Sequence, residues 1–367
     1  MNSDLLYKIA ITLIPEIGDI VGKKLVSYCG SVEAVFREKK NFLMKIPGVG
    51  THLANCIVNQ NVLKRAEKEI KFIEKFKITP LFYLDKNYPQ RLKHCADNPI
   101  MLYYKGNADL NSRKIISIVG TRNATEYGKE LCNTFIRDVS EMDILIVSGL
   151  AYGIDANAHK AALDNNLKTV GILAHGLDRI YPHLNKPLAG KMLNNGGLLT
   201  EFISDTNPDR ENFPKRNRIV AGISDAVIVI ESALKGGALI TADIANSYNR
   251  DVFAFPGKIG DKYSEGTNNF IKTNRAALIQ SAKDLKYIMR WEENDNKSNI
   301  PKQHKLFVDL SPEEKTLVEI LKIEGETGFD KLYLKSKLNM SKVAASLLNL
   351  EFEGVVKVLP GKVYKLL

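Results

Sequence analysis

At 367 residues, 44% of them hydrophobic, the chain can bury two or three domain-sized cores, which excludes a disordered polymer. It has no run of about 18 apolar residues, which excludes a helical membrane span. The formal charge of +10 favours a polyanionic partner, although positions 306–367 carry 9 Lys and Arg against 9 Asp and Glu and add nothing to that excess.

The opening Met1-Asn2-Ser3-Asp4 has no basic leader pattern, so a cytoplasmic chain without a membrane partner is expected. Cys29, Cys56, Cys95 and Cys132 lie far apart and form no CxxC pair; free thiols are expected, with no metal site. In the first segment, about residues 1–80, Ile14-Pro15-Glu16-Ile17-Gly18 is echoed by Ile46-Pro47-Gly48-Val49-Gly50. Each precedes an amphipathic helical pattern. Such a hairpin points backbone N–H groups at an anion, and the pair resembles tandem helix-hairpin-helix or SAM-like elements that grip DNA backbones. Glu16 and Asp19 would repel phosphate at the first copy, and simple helix packing is the alternative role.

Residues 81–290 alternate short apolar runs with helical patterns. Ile115–Val119, Ile144–Val147, Val170–Leu173, Ala226–Ile230 and Val252–Phe255 read as strands, with helices ending near Val139, spanning about Asp155–Leu163 and about Ile240–Asn249. Continuous apolar strands between helices predict an α/β, doubly wound, Rossmann-like parallel sheet covered on both faces. Ligands of such sheets gather beyond the carboxyl ends of the strands. There the sequence offers Gly120-Thr121-Arg122, Ser148-Gly149 and, in a long connection, Phe213-Pro214-Lys215-Arg216-Asn217-Arg218.

Glycines let a phosphate approach the backbone, Thr121 and Ser148 can donate hydroxyl bonds, and arginines can fork onto phosphate oxygens. Phe213 can stack on an unpaired base, which together with cations suits sequence-tolerant binding of single strands. A solvated loop is the competing reading. Neither GxGxxG nor GxxxxGK[ST] is present, so no dinucleotide or other cofactor is expected. Asp155 and His159, four apart on one helical face, could form an acid–base couple, but a helix-start carboxylate and a buried histidine are favoured. Glu201 and Glu231 stand alone at strand ends and could serve a nucleotide hydrolase or simply hold Arg216 or Arg218. A non-enzyme is expected.

Positions 291–305 are polar and Asn-rich, as in a linker. Over 306–367, Ser311-Pro312-Glu313-Glu314 starts a helix; further helices near Phe329–Leu338 and Ser341–Phe352 precede a hairpin through Pro360-Gly361. Three helices and a hairpin predict a winged helix. Its last helix offers one lysine, Lys342, where a duplex reader needs several, so partner docking or autoinhibition fits at least as well.

The central segment resembles the DNA-processing protein A family (DprA, also called Smf). The resemblance rests on Tyr88-Pro89, Asp97-Asn98-Pro99, Ile118-Val119-Gly120-Thr121-Arg122, Ser148-Gly149-Leu150-Ala151-Tyr152-Gly153-Ile154-Asp155 with His159, Gly176-Leu177-Asp178, Tyr181-Pro182, Phe213-Pro214 with Arg216-Asn217-Arg218, and Phe255-Pro256-Gly257. It implies a homodimeric single-stranded DNA-binding protein that protects incoming strands in natural transformation. It also implies help in loading the RecA recombinase past single-strand-binding protein. The implied DNA-binding residues are Gly120, Thr121, Arg122, Ser148, Gly149, Phe213, Arg216, Asn217 and Arg218, with Arg210 and Lys215 in support. Gly236-Gly237 departs from a common Ser-Gly, and Asn274-Arg275-Ala276 from a usual Gly-Ala, both outside these positions.

Overall fold

The computed structural model describes residues 3–291 and 310–367, so most of the expected linker lies outside the described residues. The chain divides into two compact units, Met1–Ala282 and Lys283–Leu367. The boundary drawn at residue 80 from sequence therefore falls inside the first unit.

Among the described residues six helices come first: α1 (Ser3–Ile11), α2 (Asp19–Cys29), α3 (Val32–Arg37), α4 (Lys40–Leu43), α5 (Thr51–Val58) and α6 (Leu63–Phe76). The two sequence echoes are the turns that precede α2 and α5, with Gly18 and Gly50 as extended N-caps. Ile9, Leu25, Val35, Leu43, Ile57 and Ile70 form one apolar cluster with Phe82, Ile100 and Tyr103 of the following layer. Burial of this shared surface, at about 25 cal/mol per Å², is what ties the helical segment to the sheet.

That sheet has nine strands: β1 (Thr79–Phe82), β2 (Met101–Gly106), β3 (Lys114–Val119), β4 (Ile144–Ser148), β5 (Thr169–Ile172), β6 (Gly196–Thr200), β7 (Ala226–Val229), β8 (Asp251–Ala254) and β9 (Ala277–Leu278). Their order is β1-β2-β6-β5-β4-β3-β7-β8-β9. From β6 to β9 all neighbours are parallel, whereas β1 and β2 add an antiparallel pair at the β6 edge. This pair was not foreseen as part of the sheet. The chain runs outward from β3 through β4, β5 and β6, then returns to pair β7 with β3 on its other side. The carboxyl ends of β3 to β8 consequently share one edge.

Helices α7 (Gln90–Lys93), α8 (Glu126–Val139), α9 (Ile154–Asp164), α10 (Lys186–Asn194), α11 (Asn212–Ile223), α12 (Gly237–Ser247) and α13 (Glu265–Lys272) connect these strands, and α14 (Ala282–Ile288) follows β9. One correction concerns α11. Phe213–Arg218 is its first half rather than a loop. Pro214 is compatible with that position because first-turn N–H groups have no intrahelical acceptor.

The second unit folds on its own core of Leu317, Leu321, Leu332, Val343, Leu347 and Leu350. Its helices are α15 (Pro312–Glu324), α16 (Phe329–Ser336) and α17 (Met340–Phe352), with strands β10 (Thr327–Gly328), β11 (Val356–Leu359) and β12 (Val363–Leu366) in the order β10-β12-β11. Ser311 and Glu314 close a reciprocal capping box on α15, each side chain bonding the other's backbone N–H. The expected winged helix is present.

Candidate nucleic-acid interface

A narrow crevice opens at the carboxyl edge of β3, β4 and β5. Arg122 comes from the turn after β3, Gly149 and Tyr152 from the turn after β4, and Leu173, Ala174 and His175 from the end of β5. Tyr181 and the α11 residues Phe213 and Arg216 complete the lining. The Arg122 guanidinium lies 5.2 Å from the centre of the Phe213 ring. Tyr181 stands on another side of that ring, with centroids 6.0 Å apart and planes tilted by 60°. A cation and two rings, all reachable from solvent, thus line one rim. A wider groove bounded by Arg122, Asn123, Lys129 and Tyr152 adjoins it.

Local structure holds each of these groups. Glu231 accepts from Thr125 N at 3.0 Å and from Thr125 Oγ1, and Thr125 caps α8 through Gly128 N. With the Glu231 carbonyl accepting from Thr121 N at 2.8 Å, this fixes the turn that carries Arg122. Buried His175 accepts the Tyr181 N–H at Nε2 (3.1 Å), while Nδ1 lies 2.9 Å from the Gly176 carbonyl. Burial pulls the His175 pKa down, consistent with a neutral ring that donates from Nδ1 and accepts at Nε2. Sequence reasoning did not single out Tyr152 and Tyr181 as contact residues. Both are exposed aromatics in the quoted motifs, and exposure is the property that primary structure withholds.

Arg216 departs from expectation. Its side chain is buried, and Nη1 donates to the Ile172 carbonyl at 2.8 Å. It crosses Gly149 so closely that a Cβ there would sit 1.7 Å from Nη1, which is why that position takes glycine. Buried Asp155 answers its charge; the Asp155 pKa is raised by desolvation and pulled back by Arg216. Asp155 also accepts from Gly149 N at 3.2 Å. The free phosphate fork expected of Arg216 is therefore corrected to a guanidinium held inward beneath the crevice, its Nε without a hydrogen-bond partner.

Arg218 departs further. It binds Glu201, Asp19 at 3.0 Å and the Asp97 carbonyl, and it lines a separate hollow shared with Lys215. Its side chain is 13% exposed. The expected phosphate contact is replaced by a pin between α11, the end of β6 and the start of α2. Desolvation pushes the Glu201 pKa up to about 7 against the pull of Arg218, and Glu201 Oε1 has no partner.

Ser148 is likewise corrected: fully buried, its hydroxyl donates to the Ile118 carbonyl at 2.6 Å rather than facing a ligand. Thr121 is partly exposed, its Oγ1 accepting from Asn123 N at 3.2 Å, and Gly120 is partly exposed beside it. Asn217 is partly exposed on α11, and Lys215 and Arg210 are exposed at and before its start.

The acid–base alternative fares poorly. His159 Nδ1 sits 2.6 Å from Thr169 Oγ1, and burial, then Arg216, pushes its pKa down to about 3. Asp155 faces Arg216, Glu201 holds Arg218 and Glu231 holds Thr125, so the three carboxylates serve three different partners. Among the described residues no helix is long and apolar enough to cross a membrane.

Comparison with known proteins identifies the family and the fold. A family model described as DNA recombination-mediator protein A matches residues 79–290, and one described as the DprA winged helix domain matches residues 307–362. Protein Smf of Synechocystis is 31% identical over 99% of either chain. The crystal structure of DNA processing protein A from Streptococcus pneumoniae is similar at a TM-score of 0.67 and 32% identity, over 76% of this chain and 96% of that one. The Helicobacter pylori protein of that name, whose structure addresses its unique single-stranded DNA binding mode, gives a TM-score of 0.53 and 30% identity over 59% of this chain and 96% of its own.

Proposed function

The chain belongs to the DNA-processing protein A (DprA/Smf) family, and on that premise we propose that it binds single-stranded DNA without reading sequence. The observation that carries this is the Arg122–Phe213–Tyr181 rim, a cation against one of two mutually tilted rings at the carboxyl edge of a parallel sheet. An aromatic face accepts any base, and a guanidinium beside it neutralises the adjoining phosphate, so affinity needs no base-edge contacts. Partly exposed Gly120, Thr121 and Asn217, with exposed Arg210, extend the strand's path, and Gly149 and Arg216 form its floor, whereas Lys215 borders the separate hollow beside Arg218.

The proposed role is protection of incoming DNA in natural transformation and delivery of the strand to the RecA recombinase past single-strand-binding protein, by a homodimer. It acts by binding rather than by turnover. In this division of labour the α/β layer (81–290) carries the strand, while residues 306–367 dock a partner. Two features of α17 support docking over duplex reading: its Lys342 is taken up by Glu313 at 2.9 Å, and Phe352 is 79% exposed.

Anisotropy titrations with single-stranded and duplex oligonucleotides at several salt concentrations test the proposal. Preference for the single strand, with a log–log salt slope near −0.7 per neutralised phosphate, is expected. Equal affinity for both forms, or no binding, overturns it.

A further inference from the structure

Glu16, His52 and Cys56 lie far from the crevice in sequence and take no part in the binding proposed above. Among the described residues they are the one group of three His, Cys, Asp or Glu side chains whose donor atoms converge, all within 4.8 Å of one another. We infer that these three side chains form a binding site for a thiophilic divalent cation of the zinc class, bridging the first hairpin turn and helix α5 of the helical segment.

The local structure explains the convergence. His52 and Cys56 stand four residues apart on α5, so their side chains rise from one face one turn from each other. Glu16 reaches them from the turn before α2, where its φ of 63° puts it in the left-handed region. His52 Nε2 lies at the middle of the group, 2.7 Å from Glu16 Oε2 and 4.0 Å from Cys56 Sγ.

Bond lengths to zinc near 2.3 Å for sulfur and 2.0–2.2 Å for nitrogen and oxygen put ligands of one tetrahedral ion roughly 3.3–3.6 Å apart. The observed spacings straddle that value, one shorter and one longer. Side-chain rotation alone is enough to open the carboxylate contact and close the thiol, because Glu16 and His52 are 59% and 72% exposed and free to move. A bound ion would replace the hydrogen bond between His52 and Glu16 and take Cys56 as a thiolate, the thiol proton passing to solvent.

Donor chemistry decides the class of ion. One thiolate, one imidazole and one carboxylate suit a borderline-soft cation and disfavour magnesium or calcium, which take oxygen donors. Two exposed ligands and a partly buried thiol leave the fourth position to water. The cysteine count obscured this, because it looked for paired thiols, whereas here the ligands are one thiol, its helical neighbour and a carboxylate 36 residues earlier.

The test uses the full-length, tag-free chain stripped of metal and titrated with Co(II) under reducing conditions. The expected result is one ion per chain, with tetrahedral d–d bands and a thiolate-to-cobalt charge-transfer band that zinc displaces. C56S should abolish the charge-transfer band, and H52Q and E16Q should weaken binding by at least about 10- to 100-fold, the loss that follows removal of even an outer-shell partner. C29S should change nothing. Absence of tetrahedral bands, or a charge-transfer band that survives C56S or vanishes in C29S, overturns the inference. Because the readout involves no nucleic acid, its failure leaves the DNA-binding proposal intact, and the reverse holds.

Discussion

The two sides of α11 carry the same residue type to opposite ends. Arg218 faces the hollow beside Asp19 and Glu201, where two carboxylates and a carbonyl absorb its charge. The crevice on the other side contains exposed Arg122, which no acid among its described lining residues neutralises and which rests on Phe213 instead. Arg216, two residues before Arg218, is pinned beneath the crevice by Asp155 and the Ile172 carbonyl. The lesson is that a cluster of cations in sequence divides into those that build the site and those that face the ligand, and the acidic partners decide which is which.

Stability and affinity should therefore separate along that division. The largest effect belongs to Arg216→Ala, which removes the buried bond to the Ile172 carbonyl and the cation that answers Asp155, and should cost about 3 kcal/mol in urea unfolding. If R216A unfolds at the wild-type midpoint but loses DNA, Arg216 faces the strand after all. Phe213→Ala should leave folding nearly intact and weaken single-strand binding by about 1–3 kcal/mol with an unchanged salt slope, because stacking releases no counterions.

Two buried titrating groups sharpen the contrast through pH. His159 stays neutral in the fold down to about 3, whereas solvated histidine takes its proton at 6.5. Acidification below 6.5 therefore protonates the unfolded chain first and removes stability, by about 1.4 kcal/mol per pH unit between those values. Glu201 acts oppositely: it keeps its proton in the fold up to about 7 against 4.5 when solvated, so its contribution is lost as pH rises through that window. Unfolding midpoints between pH 5 and 6.5 should accordingly fall with pH in His159→Asn and rise with pH in Glu201→Gln. Parallel slopes in the two variants would contradict these environments.

The smallest expected effect is Arg122→Ala. It should leave stability within about 0.5 kcal/mol and lower the salt slope by about 0.7, the signature of one phosphate contact. An unchanged slope would remove Arg122 from the strand's path.

Much of this architecture was legible in the sequence. The apolar runs that became β3, β4, β5, β7 and β8 are buried on both faces, so their composition alone announces them. Strands β1 and β2 escaped because Thr79-Pro80 and Tyr103-Tyr104 lack that uniform pattern, and β6, with Gly196-Gly197 at its start, was legible only at its end, beside Glu201. Phe213-Pro214 read as a connection, since proline marks a turn as readily as the first turn of a helix. For the site, Arg122, Gly149, Phe213 and Arg216, which turn chemistry and resemblance placed at one edge, line one crevice. The fates of Ser148, Arg216 and Arg218 were not legible, because each partner is distant in sequence: Ile118, Asp155, and Asp19 with Glu201. Glu201 had been named as a possible arginine holder, and it is one.

The central claim is that a single strand lies against the Phe213 and Tyr181 rings. Photocrosslinking of a bromodeoxyuridine-substituted single strand, followed by peptide mapping, reads that contact without relying on affinity. Adducts on peptides containing Phe213 or Tyr181, lost with excess unlabelled single strand, are the predicted result. Adducts confined to the winged helix, or to the hollow beside Arg218, would contradict it.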